Sequence, residues 1–306
     1  VQSLYGERIS MSASRVERLR SCHFAYFMEY GLKAKARRAA AFDAPQIGTF
    51  LHYLLEHVTK DVLDWGGFAA VGEEDLHALV RRYIEQYAAE VLQNLEGRNA
   101  RFRYLFARLR NTAYAVVDQI AEEMRCSDFV PLAFELSFGE RGELPAVTVS
   151  EPAAELRIGG KEGKQRFGMD IEPAGVLYLP ARDEILSAER NITPEQLQSQ
   201  REKELRRTGL LLSEPEVLQA MEHEALQSPR FLPVRVNREG DVSGALASAD
   251  QLGRLGQYVE RLLHQIAREV RDGNIDADPC CHNEDDSFCK YCDWADACHF
   301  QDGRDG

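Results

Sequence analysis

Through the opening half of the chain, apolar residues recur every three to four positions, which is the spacing of one face of a helix. In SRVERLRSCHFAYFMEYGL this pattern predicts a first helix, capped by Ser12 or Ser14 and carrying Cys22 within it. A second helix is expected after Pro45, where Ile47, Phe50, Leu51, Leu54, Leu55 and Val58 share a face. Leu76, Leu79, Val80, Tyr83 and Ile84 mark another. Phe102, Leu105, Phe106, Leu109, Val116, Val117 and Ile120 mark a longer one. At VPLAFELSFGE the period drops to two, with Leu132, Phe134, Leu136 and Phe138 alternating against polar or small residues, and a strand is predicted. AELRIGGK predicts a second strand, and AGVLYLP (174–180) a compact strand of the buried type. Beyond it, TPEQLQSQREKELRR and LSEPEVLQAMEHE read as charged helices and RFLPVRV as a short strand. The last helix opens on a capping box, Ser248 with Gln251 three residues on. It runs through Leu252, Leu255, Val259, Leu262, Leu263, Ile266 and Val270 to Gly273. Helices, then strands, then helices, with no internal repeat, describe an α/β or α+β core.

Composition narrows this little. A chain of 306 residues, 44% hydrophobic, is long enough for one large or two small globular domains. No apolar run reaches the length of a membrane span, and the opening VQSLYGERIS lacks secretory character. The first residue is Val1, as expected of a piece of a longer protein. A formal net charge of −13 argues against indiscriminate coating of nucleic acid. It leaves room for a local basic groove, for which GLKAKARRAA and NARFRYLFARLR are the candidates; a solvated helix face is the plainer reading of each.

The cysteines change the picture. There are seven, an odd number, and the run FCKYCDWADACHF (288–300) holds Cys289, Cys292 and Cys298 in a Cys-x2-Cys-x5-Cys spacing. Without an export signal this pattern points to metal in a reducing cytoplasm and not to a disulfide framework. Two thiolates from a tight turn and a third returned by a short loop can share one centre. Zinc would need a fourth ligand such as His299, His282 or Cys281, and an iron–sulfur cluster a fourth thiolate.

Three blocks together carry a resemblance: MSASRVERLRSCHFAYFMEYGLKAKARR, IGTFLHYLLEHV and the closing CKYCDWADACHF. They are similar to the nuclease domain of the B subunit of AddAB-type helicase–nucleases, a RecB-like member of the PD-(D/E)XK nuclease superfamily. AFELSFG, PAGVLYLPARD and GNIDADP extend the likeness from about residue 5 to residue 300. The resemblance implies a [4Fe–4S] cluster held by one cysteine ahead of the nuclease core and three behind it, here Cys22, Cys289, Cys292 and Cys298. It also implies that His52, one helical turn after Gly48, faces an active site and helps hold Mg2+ or Mn2+. Cys126 is then expected to be a structural thiol, and Cys280 and Cys281 to stand outside the pattern.

The same resemblance exposes a gap. The family's carboxylate pair and water-orienting lysine come from a Gly-x2-Asp-Arg-x-Asp strand and an Asp-Tyr-Lys strand, followed by a Gln-x3-Tyr helix. None of the three is in this chain. AELRIGGK passes directly to EGKQRFGMDIEPAGVLYLP, so the join between Lys161 and Glu162 reads as an internal deletion of several dozen residues. Glu162 and Lys164 form a Glu-x-Lys, with Glu155 or Asp170 as partner, but they follow a double glycine and not an apolar strand. Glu135 on AFELSFG is a single acid where two are needed.

The expected organisation is an N-terminal helical part (1–130), an incomplete nuclease-type α/β core (131–273) and a C-terminal iron–sulfur segment (274–306). The function implied is DNA-end processing in double-strand-break repair by a cytoplasmic protein that acts on single-stranded DNA ends beside a partner A subunit, with catalysis lost. The rival readings are a Cas4-like iron–sulfur nuclease and a non-enzymatic, metal-stapled DNA-binding module.

Overall fold

The computed structural model describes residues 1–5, 9, 11–35, 44–92, 97, 100–134, 136, 173–180, 192–281, 287–298 and 300. In chain order these form α1 (Gln2–Tyr5), α2 (Ala13–Ser21) and α3 (His23–Tyr26), the last running into a π-helical turn, Phe27–Gly31. Next come α4 (Ala44–Asp64), α5 (Glu73–Tyr87) with a π-helical end at Ala88–Leu92, and α6 (Ala100–Arg125). The second half holds β1 (Gly175–Tyr178), α7 (Pro194–Glu204), β2 (Thr208–Leu212), α8 (Pro215–Met221), β3 (Val234–Val236), β4 (Val242–Gly244) and β5 (Leu246–Ala247). The chain closes with α9 (Ala249–Asp272), a 3-10 turn at Phe288–Tyr291 and α10 (Ala295–Cys298). It divides into two compact units, one from Val1–Ala40, Val147–Arg157 and Leu255–Gly306, the other from Ala41–Ala146 and Ile158–Arg254.

In the second unit the helical periodicity becomes a core. Phe50, Leu54, Val58 and Val62 of α4 meet Leu76, Val80, Ile84 and Tyr87 of α5 and Phe106, Ala113, Val117 and Ala121 of α6. Phe50 sits between two rings in edge-to-face contact, Tyr87 at 5.0 Å and Phe106 at 5.7 Å between centroids. A smaller cluster joins Leu211 of β2 to Leu218 of α8, Ala225, Leu232 and Val234. One sheet has the order β1-β2-β5, with β1 antiparallel and β5 parallel to β2; the other is the β3-β4 hairpin. β1 and β2 approach so closely that a side chain at Gly209, whose φ is +145°, would place its Cβ 2.0 Å from the Val176 carbonyl oxygen.

The helices follow the sequence pattern, and the capping box at α9 closes both ways. The Ser248 N–H donates to the Gln251 side chain (2.8 Å), and the Gln251 N–H donates to the Ser248 hydroxyl (3.3 Å). Three expectations need correction. The first helix is broken at Cys22, which takes an extended conformation (φ −176°, ψ 126°) between α2 and α3. The described part of VPLAFELSFGE, residues 130–134 and 136, is not a strand, and Leu132 is 57% exposed. Alternation only prefers a strand; a neighbouring backbone must close its hydrogen bonds, and no described strand does so here. AGVLYLP does form β1, but as an edge strand with Val176 58% and Tyr178 66% exposed, because β2 is its one described partner. AELRIGGK lies outside the described residues. β2, β4 and β5 had no counterpart in the sequence pattern: they are short, and Gly209 and Gly244 interrupt their apolar runs.

Candidate metal centre

The first unit is built from both ends of the chain. Leu19 and Tyr26 from the N-terminal side share a buried cluster with Ile266 and Val270 of α9, and Tyr5 stacks on Tyr26 with centroids 5.8 Å apart. Backbone pairing then carries the C-terminal segment past Cys22. The Phe24 N–H donates to the Asp276 carbonyl (2.9 Å), and the Cys280 N–H donates to the Ser21 carbonyl (2.8 Å). From there the Phe288 N–H donates to the Cys280 carbonyl (3.2 Å), and the Arg18 guanidinium lies over the Phe288 ring at 5.3 Å. Cys289 is the next residue. The four predicted thiols therefore lie in one unit despite their distance in sequence.

Local geometry explains how each sulfur is presented. Cys22 stands at the N-cap position of α3, where the first turn of a helix leaves amides without partners. Burial raises its thiol above the ordinary cysteine value, the amides of Ala25, Asp278 and Phe24 pull it back, and the Asp278 carboxylate pushes it up again. None of those amides closes a normal capping hydrogen bond to it. In the C-terminal run, the Trp294 N–H donates to Cys292 Sγ and the Phe300 N–H to Cys298 Sγ, each at 3.4 Å. Burial raises the Cys292 thiol, the Trp294 amide pulls it back, and Cys289 and Cys298, both within electrostatic reach of it, raise it again.

Two features test what this donor set suits. Among the described residues no group of three or more His, Cys, Asp and Glu side chains is gathered closely enough to hold a single metal ion. The Trp294 indole N–H, two residues from Cys292, is buried without a hydrogen-bond partner. The Trp294 and Phe300 amides directed at sulfur, and the unpaired indole N–H, are donors of the kind that would suit a thiolate-bound anionic group.

The other candidates are not brought together. His52 is exposed on α4, one turn after Gly48. Glu135, Glu155, Glu162, Lys164 and Asp170 lie outside the described residues, as do His282 and His299. Cys126 follows α6 as a half-buried free thiol, and Cys280 and Cys281 are exposed free thiols. Sequence reasoning missed His23, Asp278 and Glu269. His23 is 5% exposed, and its ring and backbone are held by the two carboxylates. Its position next to Cys22 was the available signal.

The model of the PD-(D/E)XK nuclease superfamily matches residues 10–162, half of the chain. The chain belongs to the PD-(D/E)XK nuclease superfamily. It is 29% identical over 367 residues to the ATP-dependent helicase/deoxyribonuclease B subunit of Thermoanaerobacter sp. (strain X514), covering 100% of this chain and 31% of that protein. Proteins of the same name from Acetivibrio thermocellus (27% over 361 residues) and Clostridium tetani (25% over 356 residues) each cover 98% of the chain and 31% of their own length. The chain thus spans less than a third of these relatives. Its fold is that of a PD-(D/E)XK nuclease domain of the α/β class. The match to the superfamily model stops at residue 162, where Lys161 meets Glu162. The first alignment runs over 367 residues against a chain of 306, so the relative carries several dozen residues that this PD-(D/E)XK protein lacks.

Proposed function

We propose that this chain is the nuclease-type, iron–sulfur-stapled domain of a helicase–nuclease B subunit. It acts in the cytoplasm on single-stranded ends during double-strand-break repair, beside a partner A subunit, and keeps DNA binding without phosphodiester cleavage of its own. The observation that carries this reading is the joining of both chain ends into one unit that contains all four thiols of the family pattern. Whole-chain similarity to proteins named as helicase/deoxyribonuclease B subunits supports it over a Cas4-like nuclease. Cys22, Cys289, Cys292 and Cys298 would hold a [4Fe–4S] cluster. When bound, that cluster supplies a cross-link between the chain ends.

The donor set for Mg2+ or Mn2+ does not fit. Of the family's motifs only His52 remains, and both catalytic strands are absent from the sequence. The ending of the family match at residue 162 and the excess length of the relatives support a deletion at that join. What persists for DNA is a basic helix face. α6 has four arginines and no acidic residue before Asp118, in a chain of net charge −13. Arg101, Arg103 and Arg110 are exposed there, with Tyr104 63% exposed beside them. Arginine for phosphate and an aromatic ring for a base are what single strands bind to.

The test is direct. Incubated with linear single-stranded DNA and Mg2+ or Mn2+, the purified chain is expected to shift the DNA and leave it uncut. Metal-dependent cleavage that disappears in Glu162→Ala would overturn the loss of catalysis.

A further inference from the structure

We infer that His23 is the positioning residue for Cys22, and that Asp278 and Glu269 hold it in place before any cluster is present. Protein contacts then hold Cys22 beside the segment that leads to the C-terminal cysteines before iron and sulfide enter. This rests on the reading of the four cysteines as cluster ligands.

The contacts are specific. The Asp278 carboxylate grips one residue twice: Oδ1 accepts the His23 backbone N–H at 2.9 Å, and Oδ2 lies 2.6 Å from the ring Nδ1. On the far side of the ring, Nε2 is 3.2 Å from Glu269 Oε2, and the Gln265 side chain donates to the other oxygen of Glu269 at 2.6 Å. The ring is buried, its side chain 6% exposed, so it cannot swing out without breaking all of these contacts.

The consequence for Cys22 is geometric. The peptide that Asp278 grips is the one that joins Cys22 to His23, so holding it fixes the extended ψ of Cys22 and the direction of its side chain. On the other side, the Cys280 N–H holds the Ser21 carbonyl. Ser21 pairs with Cys280 and Phe24 with Asp276, so the numbering runs antiparallel and Asp278 comes opposite Cys22. The same segment continues to Cys280, whose carbonyl accepts from Phe288, and so to Cys289. A cluster that had to gather four free thiols would first have to close a loop nearly the length of the chain. The His23 latch closes it with contacts that need no metal, and charge-assisted hydrogen bonds at a buried residue are the strong kind.

The experiment uses the full chain with Cys126, Cys280 and Cys281 replaced by serine. Metal-free protein is treated with a short bifunctional maleimide and, in parallel, reconstituted anaerobically with iron and sulfide while visible absorbance is followed. The reference chain is expected to cross-link Cys22 to a C-terminal cysteine before loading. Asp278→Ala and His23→Ala are expected to lose that cross-link and to load about tenfold more slowly or worse. His23→Asn, which keeps a donor at the Nδ1 place, is expected to recover most of both readouts, which a fold defect alone would not do. Circular dichroism at matched temperature identifies any variant that has unfolded, and Asp278→Asn then serves as the milder replacement. If metal-free reference protein fails to cross-link, or Asp278→Ala loads at the reference rate, the latch is wrong while the cluster reading stands. If the reference chain takes up no iron and sulfide at all, both are overturned.

Discussion

Glu222 lies in the stretch MEHEAL, where a run of charges reads as a solvated face, yet it is only 2% exposed. Its carboxylate accepts from three consecutive backbone amides: Arg230 at 2.6 Å, Phe231 at 3.2 Å and Leu232 at 3.1 Å. Those donors belong to a loop that makes no ladder of its own, and without the carboxylate they would be buried and unpaired. Nearby, Glu123, 5% exposed, receives Arg207 through two nitrogens, at 3.0 and 2.6 Å to the same oxygen. Such pairs offset their own desolvation and become costly only when one partner is removed. Glu222→Ala is therefore expected to lower stability by about 3 kcal/mol in urea unfolding, and Glu222→Gln by roughly half as much. Equal stability of wild type and Glu222→Ala would mean that the loop loses nothing with its acceptor. No single residue in MEHEAL carries a signal for this; only the arrival of the loop at Arg230 turns a surface-type acid into a structural one.

Among elements, the helices and the strands β1 and β3 were readable, while β2, β4 and β5 were not. α4, α5 and α6 each expose a polar face and bury an apolar one, and that asymmetry is written in the order of residues. α6 adds a second message on its outer face. Arg103 and Arg110 are two turns apart on one flank, and Tyr104 and Arg101 lie on the other, around the small Ala107 and the polar Asn111. The outward turn of these arginines agrees with a phosphate-binding role. Arg103→Ala and Arg110→Ala are each expected to weaken binding of an oligothymidylate and to lower the slope of log K against log salt by about 0.7. Fluorescence anisotropy across a salt series measures both. Unchanged slopes would assign the face to solvent or to a protein partner. β1 gives the opposite lesson. Its apolar run read as buried, but burial belongs to the neighbours, and Val176 and Tyr178 stay exposed at the sheet edge.

At the scale of the molecule, the unit that joins the two chain ends and the α4–α6 core are separate, with separate apolar clusters. His23 and Asp278 are 255 residues apart in sequence, and closing a loop of that length costs on the order of 5 kcal/mol of chain entropy. The proposed cross-link through four thiolates would remove that entropy from the unfolded chain, as a disulfide does. If the proposed cluster is bound, its removal by a chelator, or Cys22→Ser, is expected to lower one calorimetric transition by several degrees and leave a second, that of the α4–α6 core, where it was. Loss of iron and of brown colour in Cys22→Ser would accompany it. A Cys22→Ser protein with wild-type iron content would remove Cys22 from the ligand set.

Much was legible in the order of residues. The helices, a cap at Ser12 or Ser14 and another at Ser248, and the cysteine pattern follow from spacing and residue type, which are local and need no partner; the missing catalytic motifs follow from the resemblance. The four proposed ligands could be named from a resemblance, but not the reason they fall in one unit. That depended on His23 reaching Asp278, on Cys280 reaching Ser21, and on Cys22 breaking a helix that its neighbours would have continued. Sequence alone determined which faces of the chain wish to be buried and which atoms can bind metal. Tertiary structure decided which of them are, because burial, edge exposure and the pairing of distant residues are properties of two segments at once.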